Sequence, residues 1–133
     1  CALDFVFGYS VALDVSDRDL QTAEKQFSRC KSFDTYTPVG PFVYAGVDPQ
    51  DLPISLRQNG EVRQSARTGQ MIHSVSRIVS FASESLTLLP GDLIITGTPA
   101  GVGAIRAGDE LEATVGDWPT LRNRVKNAEH PTN

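Results

Sequence analysis

Residues 10–33 read SVALDVSDRDLQTAEKQFSRCKSF, and the rest of the chain is organised around this stretch. Val11 and Leu13 alternate with Ser10, Ala12 and Asp14, the period of a short half-buried strand that ends in an acid. Ser16 then reads as a helix N-cap, with Asp17 and Asp19 in a first turn where acids suit the positive end of the helix dipole. The expectation is a strand over 3–13, interrupted at Gly8 by a bulge or a close backbone approach, and a helix over 16–27. Asp14 sits where the strand hands over to the helix, and its hard carboxylate oxygens suit Mg2+ or Ca2+. Arg18 and Gln21 are three apart on one helical face, and Lys31 follows ten residues after Gln21. An acid, a guanidinium, an amide and an ammonium brought together make a site for an anionic, oxygen-rich small molecule held on a metal. The plainer arrangement, favoured by pattern alone, has the acids capping the helix, Arg18 paired with Asp14 or Asp17, and Lys31 in solvent.

Beyond this stretch, 28–41 reads as a loop of small polar residues held by Pro38 and Pro41, and 42–47 as a short strand. Ile54, Leu56 and Gln58 alternate with Ser55 and Arg57 into Asn59-Gly60, a strong hairpin signal, with Val62 on the return strand. Apolar residues from Met71 to Leu86 recur every three or four positions, which predicts an amphipathic helix with Ser74 as its cap. His73, just before it, reads as a structural hydrogen-bonding group. A turn at Leu89-Pro90-Gly91-Asp92 feeds a strand over 93–96, and Gly97-Thr98-Pro99-Ala100-Gly101-Val102-Gly103 follows. That loop lacks the Lys-Ser/Thr of a P-loop and the helix and acid of a dinucleotide fingerprint. It reads instead as backbone wrapped around a small carboxylate, with N–H groups and the Thr98 hydroxyl as donors, or as a tight turn. Leu111, Ala113 and Val115 alternate in a strand, and Trp118-Pro119 turns the chain into a closing strand over 121–125.

The 133 residues form a single domain by length, and 40% are apolar with no run long enough to span a bilayer. A net charge of −4 with no basic stripe argues against nucleic acid and anionic membrane as partners. Two cysteines are too few for a disulfide framework, and Cys30 reads as a small packed thiol, so a reducing cytoplasmic setting is the expectation. The first residue is Cys rather than Met, which reads as a processed or truncated chain, and the polar tail over 127–133, including His130, is expected to be disordered.

GYSVALDVSDRDLQ, KSFDTYTPVGPFV, LRQNGEVRQ with TGQMIHSVSRIVSF, and LLPGDLIITGTPAGVG occur in that order over nearly the whole chain. Together they resemble the fumarylacetoacetate hydrolase family, in its acylpyruvate hydrolase, oxaloacetate decarboxylase and 2-hydroxyhepta-2,4-diene-1,7-dioate isomerase branch. The resemblance implies a β-rich α+β fold, a mixed β-sheet roll or sandwich with two short helices, with 1–126 as the C-terminal part of the catalytic domain. It implies divalent-metal-dependent cleavage of a carbon–carbon bond in a 2-oxo acid or diketo acid. Asp14 would be the metal ligand for Mg2+, with Mn2+ or Ca2+ as substitutes, and Thr35 would lie near the ion. Lys31 and Thr98 would be the catalytic and substrate-facing pair, supplying positive charge and a donor where enolate charge grows. Gln21 would orient substrate, and Arg18 would hold the acid-rich shell or reach the substrate.

Two departures from the family pattern stand out. The Glu-x-Glu metal pair and lid histidine of the family fall before the first residue, so the resemblance implies a homodimer or a complementing N-terminal segment. Glu110-Leu111-Glu112 has the letters of that pair but lies at the wrong end of the chain. Asp17 replaces a small alanine, either attracting the cation or neutralising Arg18. A non-catalytic remnant that binds a 2-oxo acid, or a structural subunit, is the alternative reading.

Overall fold

The computed structural model describes residues 1–128, and a four-stranded sheet is its frame. The strands are β1 (Pro53–Gln58), β2 (Glu61–Arg67), β3 (Glu110–Val115) and β4 (Leu121–Arg124), in spatial order β2-β1-β3-β4. β1 and β2 are joined at Asn59-Gly60, where φ of 54° and 82° give the left-handed pair that a two-residue hairpin needs. Every pairing in this sheet is antiparallel, where the family resemblance implied a mixed sheet. The short connections within β1–β2 and β3–β4 permit no other direction. A bulge between Leu56 and Arg57 shifts the β1–β2 register. The α+β, β-rich class stands. Asp109, which enters β3, ties the hairpin to it by accepting from Asn59 Nδ2 at 2.8 Å and Gln58 Nε2 at 2.6 Å.

Across the sheet one row of facing residues runs Gln64, Leu56, Ala113, Leu121. Ala113 and Leu121 are buried, and Val11 from the opening segment packs on them with Leu13, Val115 and Trp118 at its margin. Residues 9–15 lie antiparallel to 36–44, bonded from Tyr9 N to Tyr44 O (3.0 Å), Leu13 N to Pro38 O (2.9 Å) and Val15 N to Tyr36 O (2.9 Å). The strands expected over 3–13 and 42–47 are therefore an extended ribbon with two isolated bridges, Tyr9 to Tyr44 and Ala12 to Val39. Pro38 and Pro41 have no N–H to give, so the ladder cannot run on. Gly8 makes the close approach its position suggested: a side chain there would sit 2.7 Å from the Tyr44 carbonyl oxygen. Residues Ala2–Phe5 form a 3-10 turn instead of strand.

The helix expected over 16–27 is the six-residue α1 (Arg18–Ala23), and its cap is Asp17, whose Oδ1 accepts from Leu20 N at 3.0 Å. A carboxylate outcompetes the neighbouring Ser16 for this role because it brings charge to the positive helix end. Glu24 turns extended, and the expected loop over 28–41 opens with a second helical turn, α2 (Ser28–Lys31). Burial of Cys30, fully enclosed, drives that turn, and the Arg29–Glu24 ion pair at 2.5 Å spans the break. The third helix, α3 (Val75–Ser85), is capped by Ser74 as expected, with Ser74 Oγ accepting from Arg77 N. The described chain thus has three α-helical segments rather than two, and a 3-10 turn, Thr68–Gln70, with Met71 extended at its end, precedes the third. Residues 93–96 form no strand among the described residues. Leu93 and Ile95 remain partly exposed, so the alternation is present without an edge to pair with. The tail expected at 127–133 lies, from 129 onward and including His130, outside the described residues.

Candidate functional site

α2 delivers Lys31 to Asp14. The Asp17 N–H donates to Cys30 O at 2.9 Å, which docks the helical turn on the strand exit, and the Lys31 ammonium then donates to Asp14 Oδ2. Both side chains keep about a third of their surface exposed, 35% for Lys31 and 32% for Asp14, so ligand can reach the pair. Arg18 donates to Gln21 Oε1 across one helical turn. The plainer sequence reading, with Arg18 on Asp14 or Asp17, is not what forms. Asp17 Oδ1 serves as the helix cap, and the Arg18 guanidinium is bonded to Gln21 instead.

Asp14, Arg18, Lys31 and Thr98 all line one hollow of about 2240 Å³ between the opening ribbon, the sheet and the 86–105 segment. Gln21 is not among its lining residues, so the expected substrate-orienting amide is turned to Arg18. The hollow exceeds the roughly 300–1,000 Å³ of an ordinary small-molecule pocket, so a small acid would fill only one corner of it. Tyr9 lines the same space; burial first, and the Asp48 carboxylate second, hold its phenol above the ordinary value of 10.0.

Thr98 is fixed by a residue that carries no expectation in the sequence reading. Its hydroxyl donates to Gln64 Oε1 at 3.0 Å, and Gln64 Nε2 donates to the Pro99 carbonyl at 2.7 Å. Gly101 seats the same loop on β2: at φ of 105°, any side chain there would collide with the Arg63 carbonyl oxygen. The expected donor role of the Thr98 hydroxyl toward a ligand is therefore not available in this arrangement, because its one proton is committed to Gln64. Gln64 faces Leu56 across the sheet and is buried at 7% exposure, whereas Val62, two positions before it, is 51% exposed; the bulge at Leu56/Arg57 breaks the alternation, so parity in the sequence did not single Gln64 out.

Whether these residues suit a divalent cation can be judged from the donor set. Asp14 contributes one carboxylate, already facing an ammonium, and among the described residues no three His, Cys, Asp or Glu side chains converge as a metal cage. Mg2+ takes about six oxygens, so this chain's own residues do not make up its site. Glu110 and Glu112, the stray Glu-x-Glu, both face Arg122, at 3.6 and 2.8 Å. His73 lies exposed ahead of α3. Thr35 takes φ of 69°, a strained value for a β-branched residue, in the turn closed by Tyr36 N to Phe33 O.

The chain belongs to the fumarylacetoacetate hydrolase family: residues 1–126 match the family described as fumarylacetoacetate (FAA) hydrolase C-terminal. It is 42% identical over 135 residues to the mouse protein named oxaloacetate tautomerase FAHD1, mitochondrial, covering 97% of this chain and 61% of that one. Among solved structures it is similar to 2-hydroxyhepta-2,4-diene-1,7-dioate isomerase from Mycobacterium marinum, with 49% identity and a TM-score of 0.91 over 93% of this chain and 49% of that one. Fumarylacetoacetate hydrolase from Exiguobacterium antarcticum gives 41% identity and a TM-score of 0.91, covering 96% and 49%. The chain spans about half the length of the curated relatives it matches. No helix among the described residues is long and apolar enough to cross a membrane.

Proposed function

We propose that this chain provides the 2-oxo-acid-binding part of an enzyme that works through the enolate of its substrate. The observation that carries the reading is the Asp14–Lys31 pair at the rim of the hollow that Arg18 and Thr98 also line. Lys31 has three N–H donors and spends one on Asp14, leaving two for the carboxylate and keto oxygens of a 2-oxo acid. When the carbon next to the keto group loses its proton, negative charge moves onto the keto oxygen, and the ammonium lies where it lowers the energy of that charge. Arg18 adds a second cation for the distal carboxylate of a diketo or dicarboxylic acid. In tautomerisation the C3–H bond breaks and an O–H bond forms on the keto oxygen, with no co-reactant. The names of the tautomerase and isomerase relatives favour this proton transfer.

Carbon–carbon cleavage, by loss of CO2 from an oxaloacetate-type acid or by attack of water on an acylpyruvate, is the second reading. It passes through the same enolate, and the hydrolase relative favours it. A divalent cation, Mg2+ first, would take Asp14 as this chain's contribution and needs further oxygens from elsewhere. Oxaloacetate offered to the natural full-length protein, with and without Mg2+ or Mn2+, separates the two: decay of enol absorbance without pyruvate means tautomerisation, and pyruvate release means cleavage. Absence of both, together with no binding of oxalate in calorimetry, would leave a structural subunit as the reading.

A further inference from the structure

We infer that Gln64 is a positioning residue that turns the Thr98 hydroxyl into a hydrogen-bond acceptor toward the hollow, so that the site selects a 2-hydroxy or enol ligand oxygen over a bare oxyanion at that point. The inference rests on the 2-oxo-acid reading above and specifies which tautomer the loop holds.

The polarity follows from what each group can do. The Pro99 carbonyl only accepts, so the atom of Gln64 that meets it at 2.7 Å is the NH2 group. The amide carbonyl Oε1 is then the atom that meets Thr98 Oγ1 at 3.0 Å, and it too only accepts. The shared proton therefore belongs to Thr98. A hydroxyl has one proton and two lone pairs, so everything else that Thr98 Oγ1 meets must donate to it. The arrangement is fixed from below: Gln64 is 7% exposed, its strand neighbour across the sheet is Leu56, and Gly101 holds the loop against the β2 backbone. Rotating the amide would set its NH2 against the Thr98 hydroxyl and its carbonyl against the Pro99 carbonyl, two acceptors facing each other.

Among the oxygens of a 2-oxo acid, the carboxylate and keto oxygens only accept, and Lys31 and Arg18 serve those. The enol form alone carries an O–H at C2 that can donate to Thr98. A loop holding the enol in this way lowers the energy of one tautomer relative to the other. This suits an enzyme that interconverts them.

The test uses two probes, malate, which has a donating hydroxyl at C2, and oxalate, which offers only acceptors. Their dissociation constants are measured by calorimetry on the natural full-length protein carrying Gln64, Gln64→Leu or Gln64→Glu. Leucine takes away the acceptor and frees the Thr98 proton, so malate should weaken relative to oxalate by about tenfold, the worth of one hydrogen bond. Ionised glutamate still accepts that proton while losing the bond to Pro99, so it should restore the malate-to-oxalate ratio even where the loop is loosened. A merely structural role would weaken both probes alike in both variants, and an unmoved ratio in Gln64→Leu overturns the inference. Exchange of the Gln64 side-chain amide protons, read by NMR on the ligand-free protein, reports whether the amide is held by an acceptor, as its bond to the Pro99 carbonyl requires. Protected protons with no binding of either probe would remove the 2-oxo-acid reading and leave the Gln64–Thr98 geometry intact. Unprotected protons would remove the geometry.

Discussion

The two apolar faces of this molecule follow the same patterning rule and end in opposite states. On the sheet side, Leu111, Ala113 and Leu121 are buried, Val11 from the opening ribbon covers Ala113 and Leu121, and Tyr44 stacks on Trp118 at a ring separation of 4.2 Å. On the helix side, α3 carries an equally regular apolar stripe, yet none of its residues is buried, and Phe81 and Leu86 are each 64% exposed. The described element that packs most closely on α3 is the Ala2–Phe5 turn, itself topped by Phe5 at 87% exposure. Burial stabilises only where a second surface arrives. Among the described residues the sheet has its second surface, and α3 with residues 86–95 does not.

That contrast can be broken most directly by truncation on each side. Leu121→Ala should cost about 2–5 kcal/mol in urea unfolding of this chain, because it opens a cavity in the packed row. Phe81→Ala should stay within about 0.5 kcal/mol, as an exposed substitution does. Equal losses would mean that α3 is covered after all.

The next effect in size concerns the rim. Lys31→Met should lower turnover of the natural full-length protein by roughly 10²–10³-fold, the range for losing one group that meets developing oxyanion charge. Asp14→Asn should lower turnover as well, while His73→Ala leaves it unchanged. If Lys31→Met shifted only the unfolding midpoint, the pair would be scaffold and the hollow's rim no different from its floor.

Smaller shifts sharpen the difference between strained and relaxed turns. Thr35→Asn relieves a left-handed β-branched residue and should raise stability by about 1 kcal/mol. Should turnover fall while stability rises, the strain serves the site.

The smallest effect is a pH dependence. Hydrogen bonds from Asn59 first, then the Arg106 N–H and Gln58, hold the Asp109 carboxyl below its ordinary 3.8, and Arg67 does the same for Asp51. A lowered folded value means the stabilisation is full above the unfolded value and is lost as pH falls through the folded one. Unfolding followed from pH 6 downward should therefore show a declining limb below about pH 4 that flattens in Asp109→Asn.

Much of the scaffold was legible because its signals are local. Asn59-Gly60 dictates a two-residue turn, Ser74 caps α3, and the alternation through Leu111, Ala113 and Val115 marks β3. The ribbon was misread as regular strand since alternation reports which side chains face inward, while the prolines that interrupt the ladder lie on the partner segment, 36–44. The site was legible by residue type and not by partnership. Asp14, Arg18, Lys31 and Thr98 were named from sequence and line one hollow, where only Asp14 and Lys31 pair with each other; Gln21 pairs with Arg18, and Gln64 passed unnoticed as one polar letter in a strand.

Sequence by itself determined the turns, the caps, the inward parity of the strands and membership of a family, because each depends on residues close together or on motifs kept in order. Tertiary structure decided which apolar face is covered, which cation meets which carboxylate, and which way a hydroxyl proton points. Those outcomes depend on contacts between residues 17 to 110 positions apart, such as Lys31 with Asp14, Thr98 with Gln64 and Val11 with Leu121, whose meeting depends on the path of the whole chain.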